Sequence, residues 1–220
     1  MHMQFFMITE NLKQVKLRID SVKHEQQVQL IAVSKARSVT EIQQAVDAGQ
    51  MEFGENYVQE SLDKIEAFEG KNLIWHFIGP IQSNKTASIA EKFDWVHSVE
   101  RFKIAKRLND QRHPKLGQLK VLLQINIDRE KTKSGFFLED IDEIVPEIKK
   151  LANISLRGFM CIPNPDNSAD SFTKMAELIS KYPDLDTLSI GMSADLELAI
   201  EKGATFVRVG TDIFGEREYN

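Results

Sequence analysis

Short apolar runs alternate with amphipathic stretches along the whole chain. Most of these runs are continuous, which is typical of parallel strands covered on both faces. The runs that predict strands cover residues 28–35, 51–54, 73–79, 95–99, 119–127, 155–160, 187–191 and 205–210. Eight strands alternating with helices predict an α/β fold, a (β/α)8 or TIM barrel, and an open doubly wound sheet is the alternative.

Between the runs, apolar side chains recur at helical spacing. Residues 40–46 end before Gly49, residues 138–151 carry apolar residues three or four positions apart, and residues 193–202 begin with a capping serine. Only ten residues follow the eighth run, too few for an outer helix after it. We therefore expect segment 9–22 to form an N-terminal helix that completes the outer ring.

Composition narrows the class of protein. The chain has 220 residues, 42% hydrophobic and 28% charged, and we expect residues 1–220 to form a single domain. A net charge of −5 without a block of Lys or Arg disfavours nucleic acid and anionic membranes as partners. The chain shows no signal peptide and no apolar run of transmembrane length, and its one cysteine, Cys161, excludes an internal disulfide. These features indicate a cytoplasmic protein.

The first apolar run ends on a lysine, Lys35, where a barrel would place functional groups. A lysine there either extends to solvent or takes part in chemistry, because a charge among apolar neighbours is costly. Burial lowers a lysine's pKa and frees the amine to form a Schiff base. Strands also often end on an exposed lysine, so Lys35 alone does not decide between these readings.

The ends of the seventh and eighth runs indicate an anion site. Ser193 can cap the helix that we expect after it, and Gly210 before Thr211 permits close approach of the backbone. Barrels frequently bind phosphate between the loops after these two strands. Each motif alone also fits an ordinary helix cap or turn, but their shared location favours phosphate.

An arginine, Arg208, lies inside the eighth run, where an unpaired guanidinium would be costly. Its guanidinium forms either a buried ion pair or a hydrogen bond to a heteroatom of a ligand. A lysine, a phosphate site and an arginine for a ring nitrogen together describe pyridoxal 5′-phosphate (PLP). The strand ends contain no metal-ligand spacing, so no metal is expected.

Three further residues are less specific. His76, in the third run, suits a buried core histidine somewhat better than a ligand contact. Asn56, in a Gly-Glu-Asn turn, fits a helix cap as well as a ligand contact. Cys161 follows the sixth run among apolar residues, which indicates packing rather than a nucleophile.

Several motifs in a fixed order resemble one known family over nearly the whole chain. They read AVSK at 32–35, FGENYVQE at 53–60, WHFIG at 75–79, QSNK at 82–85, GMSAD at 191–195 and VRVGT at 207–211. This set resembles the pyridoxal phosphate homeostasis proteins, whose fold is the alanine racemase N-terminal barrel. The family often has a proline shortly after the lysine, whereas residues 36–38 here read Ala-Arg-Ser.

The resemblance implies a PLP-binding protein that acts in intracellular vitamin B6 and amino-acid homeostasis. It implies that Lys35 carries PLP as a Schiff base and that Arg208 faces the pyridine nitrogen. It also implies that Ser193, Gly210 and Thr211 hold the phosphate. The residues assigned to the cofactor in this way are Lys35, Asn56, His76, Ser193, Arg208, Gly210 and Thr211.

The same residues disfavour catalytic turnover. A guanidinium has no proton to give readily to the pyridine nitrogen, so the ring is a poor electron sink. The resemblance also implies that racemases with this barrel add a β-rich domain and a tyrosine base from a partner subunit. Of Tyr57, Tyr182 and Tyr219, only Tyr57 lies near a strand end.

We therefore expect a monomeric PLP carrier without catalytic residues, whose partners are PLP and PLP-requiring apo-enzymes. One alternative is a PLP-dependent amino-acid racemase or decarboxylase with an unidentified acid–base pair. Another is an aldolase-like barrel in which Lys35 condenses with a sugar phosphate.

Overall fold

A closed parallel barrel forms the centre of the molecule in a computed structural model, which describes residues 2–23 and 25–216, with side chains from residue 7 onward. The strands are β1 (Gln29–Val33), β2 (Glu52–Glu55), β3 (Ile74–Phe77), β4 (Trp95–Val99), β5 (Leu119–Ile125), β6 (Ile154–Cys161), β7 (Thr187–Ser189) and β8 (Phe206–Val209). They pair in chain order, and β8 pairs with β1. The predicted (β/α)8 barrel is confirmed, and the open sheet is wrong because no strand edge is left between β8 and β1.

Helices surround the barrel on its outer side. They are α1 (His2–Val22), α2 (Val39–Asp47), α3 (Val58–Ala67), α4 (Thr86–Lys92), α5 (Phe102–Gln111), α6 (Ile141–Lys149), α7 (Ser168–Ser180), α8 (Leu196–Glu201) and α9 (Thr211–Phe214). Helix α1 packs against α2, α8 and α9, so it closes the outer ring as predicted. Helix α9 after the last strand is a single turn of four residues.

The N-termini of helices α2 and α8 are formed by different side-chain hydrogen bonds. Helix α2 begins at Val39, one residue before the predicted range 40–46, because Ser38 and Glu41 form a reciprocal capping box. Helix α8 begins at Leu196, and Ser193 does not cap it. Instead, the Asp195 carboxylate accepts the Met192 N–H at 2.7 Å, which gives the preceding loop a turn of its own. The predicted capping role of Ser193 is therefore wrong.

Alternate residues of each strand face the barrel interior, so the interior is filled in layers. One buried apolar layer consists of Ile31, Trp95, Leu122, Met160 and Phe206. Two positions further along the chain from members of this layer, Val33, Ile162 and Arg208 line a cavity at the carboxyl ends of the strands. Within the described ranges, none of the helices has the length and apolarity needed to cross a membrane.

Candidate functional site

A cavity of about 290 Å³ opens at the carboxyl ends of the strands, and we call it the mouth cavity. Its lining residues are Val33, Lys35, Arg37, Asn56, Ile78, Ile162, Met192, Ser193, Ala194, Arg208, Gly210 and Thr211. Six of the seven residues predicted to bind the cofactor are in this set, and only His76 is not. The fold thus brings together residues from both ends of the chain.

A larger groove of about 700 Å³ lies at the opposite end of the barrel. Its rim carries the carboxylates of Glu66, Glu69, Glu91 and Asp94. This groove lies beside the amino-terminal end of β3, whereas the functional groups of such barrels lie at the carboxyl ends of the strands. The chemistry therefore favours the mouth cavity over the larger groove.

Lys35 lies in the turn after β1, two residues beyond the end of the strand at Val33. The turn is tight, because the Arg37 N–H donates to the Ser34 carbonyl at 3.1 Å. Ala36 has a φ of 58°, in the left-handed region that non-glycine residues seldom adopt. Lys35 is half-buried and lines the cavity, so its position depends on what fixes the residues on either side of it.

A buried charged group, which we call the Lys64 cluster, fixes both neighbours of Lys35. It consists of Lys64, Glu55 and Glu60. Lys64 Nζ donates to the Ser34 carbonyl at 2.6 Å, to Glu55 Oε1 at 2.8 Å and to Glu60 Oε1 at 2.5 Å. Glu60 Oε1 also accepts the Ala36 N–H at 2.6 Å. Sequence reasoning missed this cluster, although its two glutamates belong to the FGENYVQE motif.

Burial raises the pKa of the Glu55 carboxyl, and the adjacent Lys64 ammonium opposes that shift. Ser34 Oγ donates to the same Glu55 oxygen, Oε1, at 2.6 Å. The other oxygen, Glu55 Oε2, is buried and has no hydrogen-bond partner among the described residues. The cluster is therefore a polar support built inside the wall of the barrel, not a surface ion pair.

Arg208 enters the mouth cavity from β8 and is almost fully buried. Its Nη1 donates to the carbonyl and hydroxyl oxygens of Ser189 at 2.7 and 2.6 Å, and its Nη2 donates to the Cys161 carbonyl at 3.0 Å. None of the ion pairs in the described part of the chain includes it, so the buried-ion-pair reading is wrong. Burial lowers the pKa of Arg208, yet a guanidinium keeps its charge in proteins.

A guanidinium has five N–H donors, and the protein uses three of those of Arg208. The remaining two, on Nε and Nη2, make no hydrogen bond to any described residue. Because a buried charge needs its hydrogen bonds completed, these donors favour an acceptor within the cavity. That is the arrangement expected for an aromatic ring nitrogen.

The loop before α8 depends on glycine for its shape. Gly191 has a φ of 90°, and a Cβ there would lie 2.5 Å from the Cβ of Ala199. Ser193 follows in this loop and lines the cavity opposite Gly210 and Thr211. The hydroxyls of Ser193 and Thr211 and the adjacent N–H groups give the cavity donors for a phosphate.

Arg18 of α1 connects helix α8 and the loop before it to helix α9. It donates to the Ser193 carbonyl at 3.0 Å, to Glu197 at 2.6 Å and to Asp212 at 2.6 Å. The hydrogen bonds to these carboxylates raise its pKa, and Arg18 in turn lowers the pKa of Glu197. Sequence reasoning missed Arg18, because these partners are far from it in the chain.

Asn56 has a side-chain oxygen without a partner. Its Oδ1 is buried and accepts no hydrogen bond from any described residue. The N-cap position of α3 belongs to Tyr57, so Asn56 does not cap that helix. Gly79 packs against its main chain, since a Cβ at Gly79 would lie 2.2 Å from the Asn56 carbonyl oxygen. Asn56 therefore lines the mouth cavity with a buried side-chain acceptor that has no partner among the described residues.

His76 lies inside the barrel and not at the mouth cavity. Its ring stacks on that of Trp95, with centroids 5.8 Å apart, and its Nδ1 lies 3.0 Å from His97 Nε2. It shares its strand face with Ile78, which lies two positions later and does line the cavity. The prediction that His76 lines the pocket is therefore wrong, because the residue is one layer too deep.

The remaining candidates do not contribute to the mouth cavity among the described residues. Burial raises the pKa of the Cys161 thiol to about 12, which suits packing and not a nucleophile. No group of three metal-ligating side chains occurs among residues 2–23 and 25–216. Tyr57 is 59% exposed and does not line the mouth cavity, and Tyr219 lies outside the described residues.

Comparison with known proteins finds relatives over nearly the whole chain. The family described as alanine racemase, N-terminal domain, matches residues 7–218. The pyridoxal phosphate homeostasis protein of Escherichia coli strain K12 is 45% identical over 97% of this chain and 98% of its own. The protein of the same name from Vibrio cholerae serotype O1 is 47% identical, with the same coverage of both chains.

Solved structures of related proteins share this fold. The structure of PipY from Synechococcus elongatus with PLP bound has a TM-score of 0.78 and 35% identity, covering 91% of this chain and all of PipY. An alanine racemase from Corynebacterium glutamicum has a TM-score of 0.71 but 15% identity, and 60% of its chain is covered. This likeness to the racemase is one of fold alone. The chain belongs to the pyridoxal phosphate homeostasis protein family, whose barrel is that of the alanine racemase N-terminal domain.

Proposed function

We propose that this chain is a single-domain protein that holds PLP on Lys35 and acts in intracellular vitamin B6 and amino-acid homeostasis, without catalytic turnover of its own. The observation that carries the proposal is that Lys35 and Arg208 share one cavity with the hydroxyl groups of Ser193 and Thr211. The names of the relatives, and the PLP bound to PipY, support it.

The residues of the mouth cavity fit PLP. Arg208 has two N–H groups without partners among the described residues, which suit the pyridine nitrogen as acceptor. Asn56 Oδ1 is a buried acceptor that suits a ring hydroxyl. The cavity, at about 290 Å³, has the size of a site for a small ligand.

Each residue has a separate task in this proposal. PLP supplies an aldehyde that condenses with an amine and loses one water. Lys35 supplies the amine, and Arg208 orients the ring by donating to its nitrogen. Ser193, Gly210 and Thr211 supply hydroxyl and N–H donors to the phosphate, each contributing about 1.5–3 kcal/mol.

The composition of the lining supports a role without turnover. Moving a proton at the α-carbon of an amino acid requires a positioned acid or base. Apart from Lys35 itself, the titratable residues that line the described cavity are Arg37 and Arg208. Neither is a useful base, because a guanidinium does not release its proton in proteins. A racemase or decarboxylase is therefore the weaker proposal.

Covalent attachment is tested by borohydride reduction of the protein loaded with PLP, followed by peptide mass mapping. We expect a pyridoxyl adduct on Lys35 and no visible absorption band in Lys35→Ala. The matched control is Lys106→Ala, which removes an exposed lysine. A stoichiometric adduct elsewhere, with Lys35 unmodified, contradicts the proposal.

Absence of turnover is tested by incubating the loaded protein with amino acids in deuterated water. We expect no exchange of the α-proton at the rates of ordinary enzymes, about 1 s⁻¹ or faster. Exchange at such rates would favour the enzymatic alternative. A sugar phosphate trapped on Lys35 by borohydride, without PLP, would favour the aldolase-like alternative.

The finer role that we propose is that of a monomeric carrier that passes PLP to PLP-requiring apo-enzymes. The half-buried position of Lys35 supports it, because a competing amine can reach the attached cofactor through the mouth. The loaded protein should activate an apo-aminotransferase faster than its own passive release of PLP allows. Sedimentation velocity of the same sample tests the monomer, and a dimer would contradict it.

A further inference from the structure

A continuous row of polar side chains crosses the interior of the barrel, from Arg208 at the mouth to Glu52 at the opposite end. Arg208 Nη1 donates to Ser189 Oγ at 2.6 Å, and Ser189 Oγ lies 2.9 Å from His97 Nδ1. His97 Nε2 lies 3.0 Å from His76 Nδ1, and His76 Nε2 lies 3.2 Å from Glu52 Oε2. We call these five residues the interior row.

The interior row passes through the most enclosed part of the molecule. Ser189, His76 and His97 are fully buried, whereas the side chain of Glu52 is 17% exposed. The contact between His76 Nε2 and Glu52 is close in distance but poorly aligned, so it is the weakest step. Buried polar groups at this density are costly unless they are mutually satisfied. The row therefore needs one consistent arrangement of its protons.

The two ends of the row decide that arrangement. A guanidinium can only donate, and a carboxylate can only accept. The carboxylate of Glu52, 3.2 Å from His76 Nε2, favours an N–H on that nitrogen, which leaves Nδ1 of His76 as an acceptor. It follows that His97 donates from Nε2 and accepts at Nδ1, and that the hydroxyl of Ser189 donates to His97 while its lone pair accepts from Arg208.

We propose that His76 and His97 are both neutral with the proton on Nε2, and that His97 and Ser189 are positioning residues which aim the guanidinium of Arg208 into the mouth cavity. In this arrangement every side-chain donor of the row points away from Arg208 and towards Glu52. The consequence for PLP binding rests on the proposed function, whereas the arrangement of protons in the interior row is independent of it.

The opposite arrangement is unfavourable. If His97 donated from Nδ1 to Ser189, then His76 would have to donate from Nδ1, and its Nε2 lone pair would face the carboxylate of Glu52. A doubly protonated imidazole is also unfavourable, because burial lowers the pKa of both histidines and Arg208 lowers that of His97 further. Glu52 opposes this effect at His76 without removing it.

The row acts on Arg208 through one nitrogen. Nη1 donates to both the carbonyl and the hydroxyl of Ser189, so the plane of the guanidinium is fixed by two acceptors on one residue. With the hydroxyl proton directed at His97 Nδ1, the lone pairs of Ser189 Oγ are directed away from His97, and one of them accepts from Arg208 Nη1. The N–H groups that the protein leaves for a ligand are then presented in one orientation.

The proton arrangement is tested without PLP, by long-range proton–nitrogen NMR of the protein labelled at histidine nitrogen, assigned with His76→Gln and His97→Gln. We expect both buried imidazoles to be neutral Nε2–H tautomers across mildly acidic to mildly alkaline pH. In Glu52→Leu, His76 should lose its single tautomer. An imidazolium or an Nδ1–H tautomer at either site in the unaltered protein would overturn the proposal, whatever the protein binds.

The positioning role is tested by PLP titration and by the absorption spectrum of the loaded protein. Ser189→Ala should weaken PLP binding about tenfold, the loss expected for one charge-assisted hydrogen bond, and should shift the visible band. Ser189→Thr keeps the hydroxyl and should restore both properties. Ser61→Ala removes a buried hydroxyl of α3 that donates to Tyr57 and should change neither.

The outcomes separate the two proposals. If Ser189→Ala binds PLP like the unaltered protein with the same band, the positioning role is wrong even where the tautomers are as expected. If the unaltered protein binds no PLP while the tautomers are as expected, the proposed function fails and the proton arrangement stands. If Ser189→Thr behaves like Ser189→Ala, the hydroxyl is not the group that matters, and the positioning role is wrong.

Discussion

Glu60 holds Ala36 in place: Glu60 Oε1 accepts the Ala36 main-chain N–H at 2.6 Å, although Ala36 has a left-handed φ of 58°. A non-glycine residue in this region is strained by about 1–3 kcal/mol and persists only where its surroundings fix it. The surroundings here are the Lys64 cluster, since Lys64 donates to the same glutamate oxygen. The turn that carries Lys35 is therefore shaped by a neighbouring helix.

Lys64→Met should destabilise the protein by about 3–5 kcal/mol, because it leaves the fully buried carboxylate of Glu55 without its cation. Lys64 is 5% exposed and Glu55 is fully buried, so water cannot replace the lost contacts. Urea denaturation measures the free energy of unfolding. Lys106→Met, which breaks the exposed pair with Asp110, is the control and should cost far less stability than Lys64→Met. Equal losses in the two variants would show that the cluster is not a buried support.

Glu60→Gln separates charge from geometry. The amide oxygen of glutamine can still accept the Ala36 N–H, so the turn should keep its shape while the charge is lost. Glu60→Ala removes both, and we expect a lower yield of Lys35 adduct after borohydride only in that variant. The measurement is the intact mass of the reduced protein. Equal loss of adduct in both variants would mean that charge, and not the shape of the turn, controls the lysine.

Gly191→Ala should reduce both stability and PLP affinity. The added Cβ would lie 2.5 Å from that of Ala199, and the φ of 90° is unfavourable for alanine. Gly70→Ala is a matched control, because Gly70 has a φ of 81° but no atom within 4 Å of the added Cβ. Thermal unfolding and PLP titration should show a larger loss for Gly191. Equal losses would mean that backbone strain alone, and not the close packing of the loop, is responsible.

The barrel and most of the site were predictable from sequence because both depend on local patterns. Continuous apolar runs give buried parallel strands, and the ends of those strands identify Lys35 and Arg208 without any long-range information. Ser193 lines the cavity but does not form the cap that the sequence predicts, because the Asp195 carboxylate forms the turn before α8. A pattern can thus locate a residue without specifying its hydrogen bonds.

The depth of His76 and the partners of Arg18 were not predictable. His76 shares its strand face with Ile78, and only the register of β3 against its neighbours determines which layer each occupies. Arg18 joins Glu197 and Asp212, 179 and 194 positions away in the chain. Such contacts follow from closure of the barrel, which no local spacing encodes.

The buried histidines make stability depend on pH. Burial lowers the pKa of His76 and His97 below the ordinary value of 6.5, so below that pH the unfolded chain binds protons that the folded chain does not. The free energy of unfolding should therefore fall as pH falls below about 6.5, by up to about 1.4 kcal/mol per pH unit for each histidine. Urea denaturation across this range measures the slope.

Substitution of one buried histidine should remove its share of that slope. We expect His97→Gln to be less stable than the unaltered protein at neutral pH but to lose less stability on acidification. His113→Gln, at an exposed position before the turn Pro114–Leu116, is the control and should leave the slope unchanged. A slope as steep in His97→Gln as in the unaltered protein would contradict a contribution from His97.

The phosphate side of the cavity should dominate affinity. Because Ser193, Gly210 and Thr211 can donate several charge-assisted hydrogen bonds to a dianion, pyridoxal without its phosphate should bind at least about tenfold more weakly than PLP. Thr211→Val should weaken PLP more than pyridoxal, since it removes a phosphate donor. Thr173→Val, on the outer face of α7, removes a hydroxyl that donates to Ala169 and should affect neither ligand.

Arg18→Met extends this prediction to a residue that does not line the cavity. Without Arg18, Ser193 loses a hydrogen bond to its carbonyl, and Glu197 and Asp212 lose the cation between them. The two loops should separate, so the affinity for PLP should fall while that for pyridoxal changes little. Fluorescence titration with both vitamers measures the difference. If Arg18→Met weakens the binding of PLP and of pyridoxal equally, Arg18 supports the whole barrel and not the phosphate side. If the unaltered protein binds PLP and pyridoxal equally well, a phosphate site at these loops is contradicted.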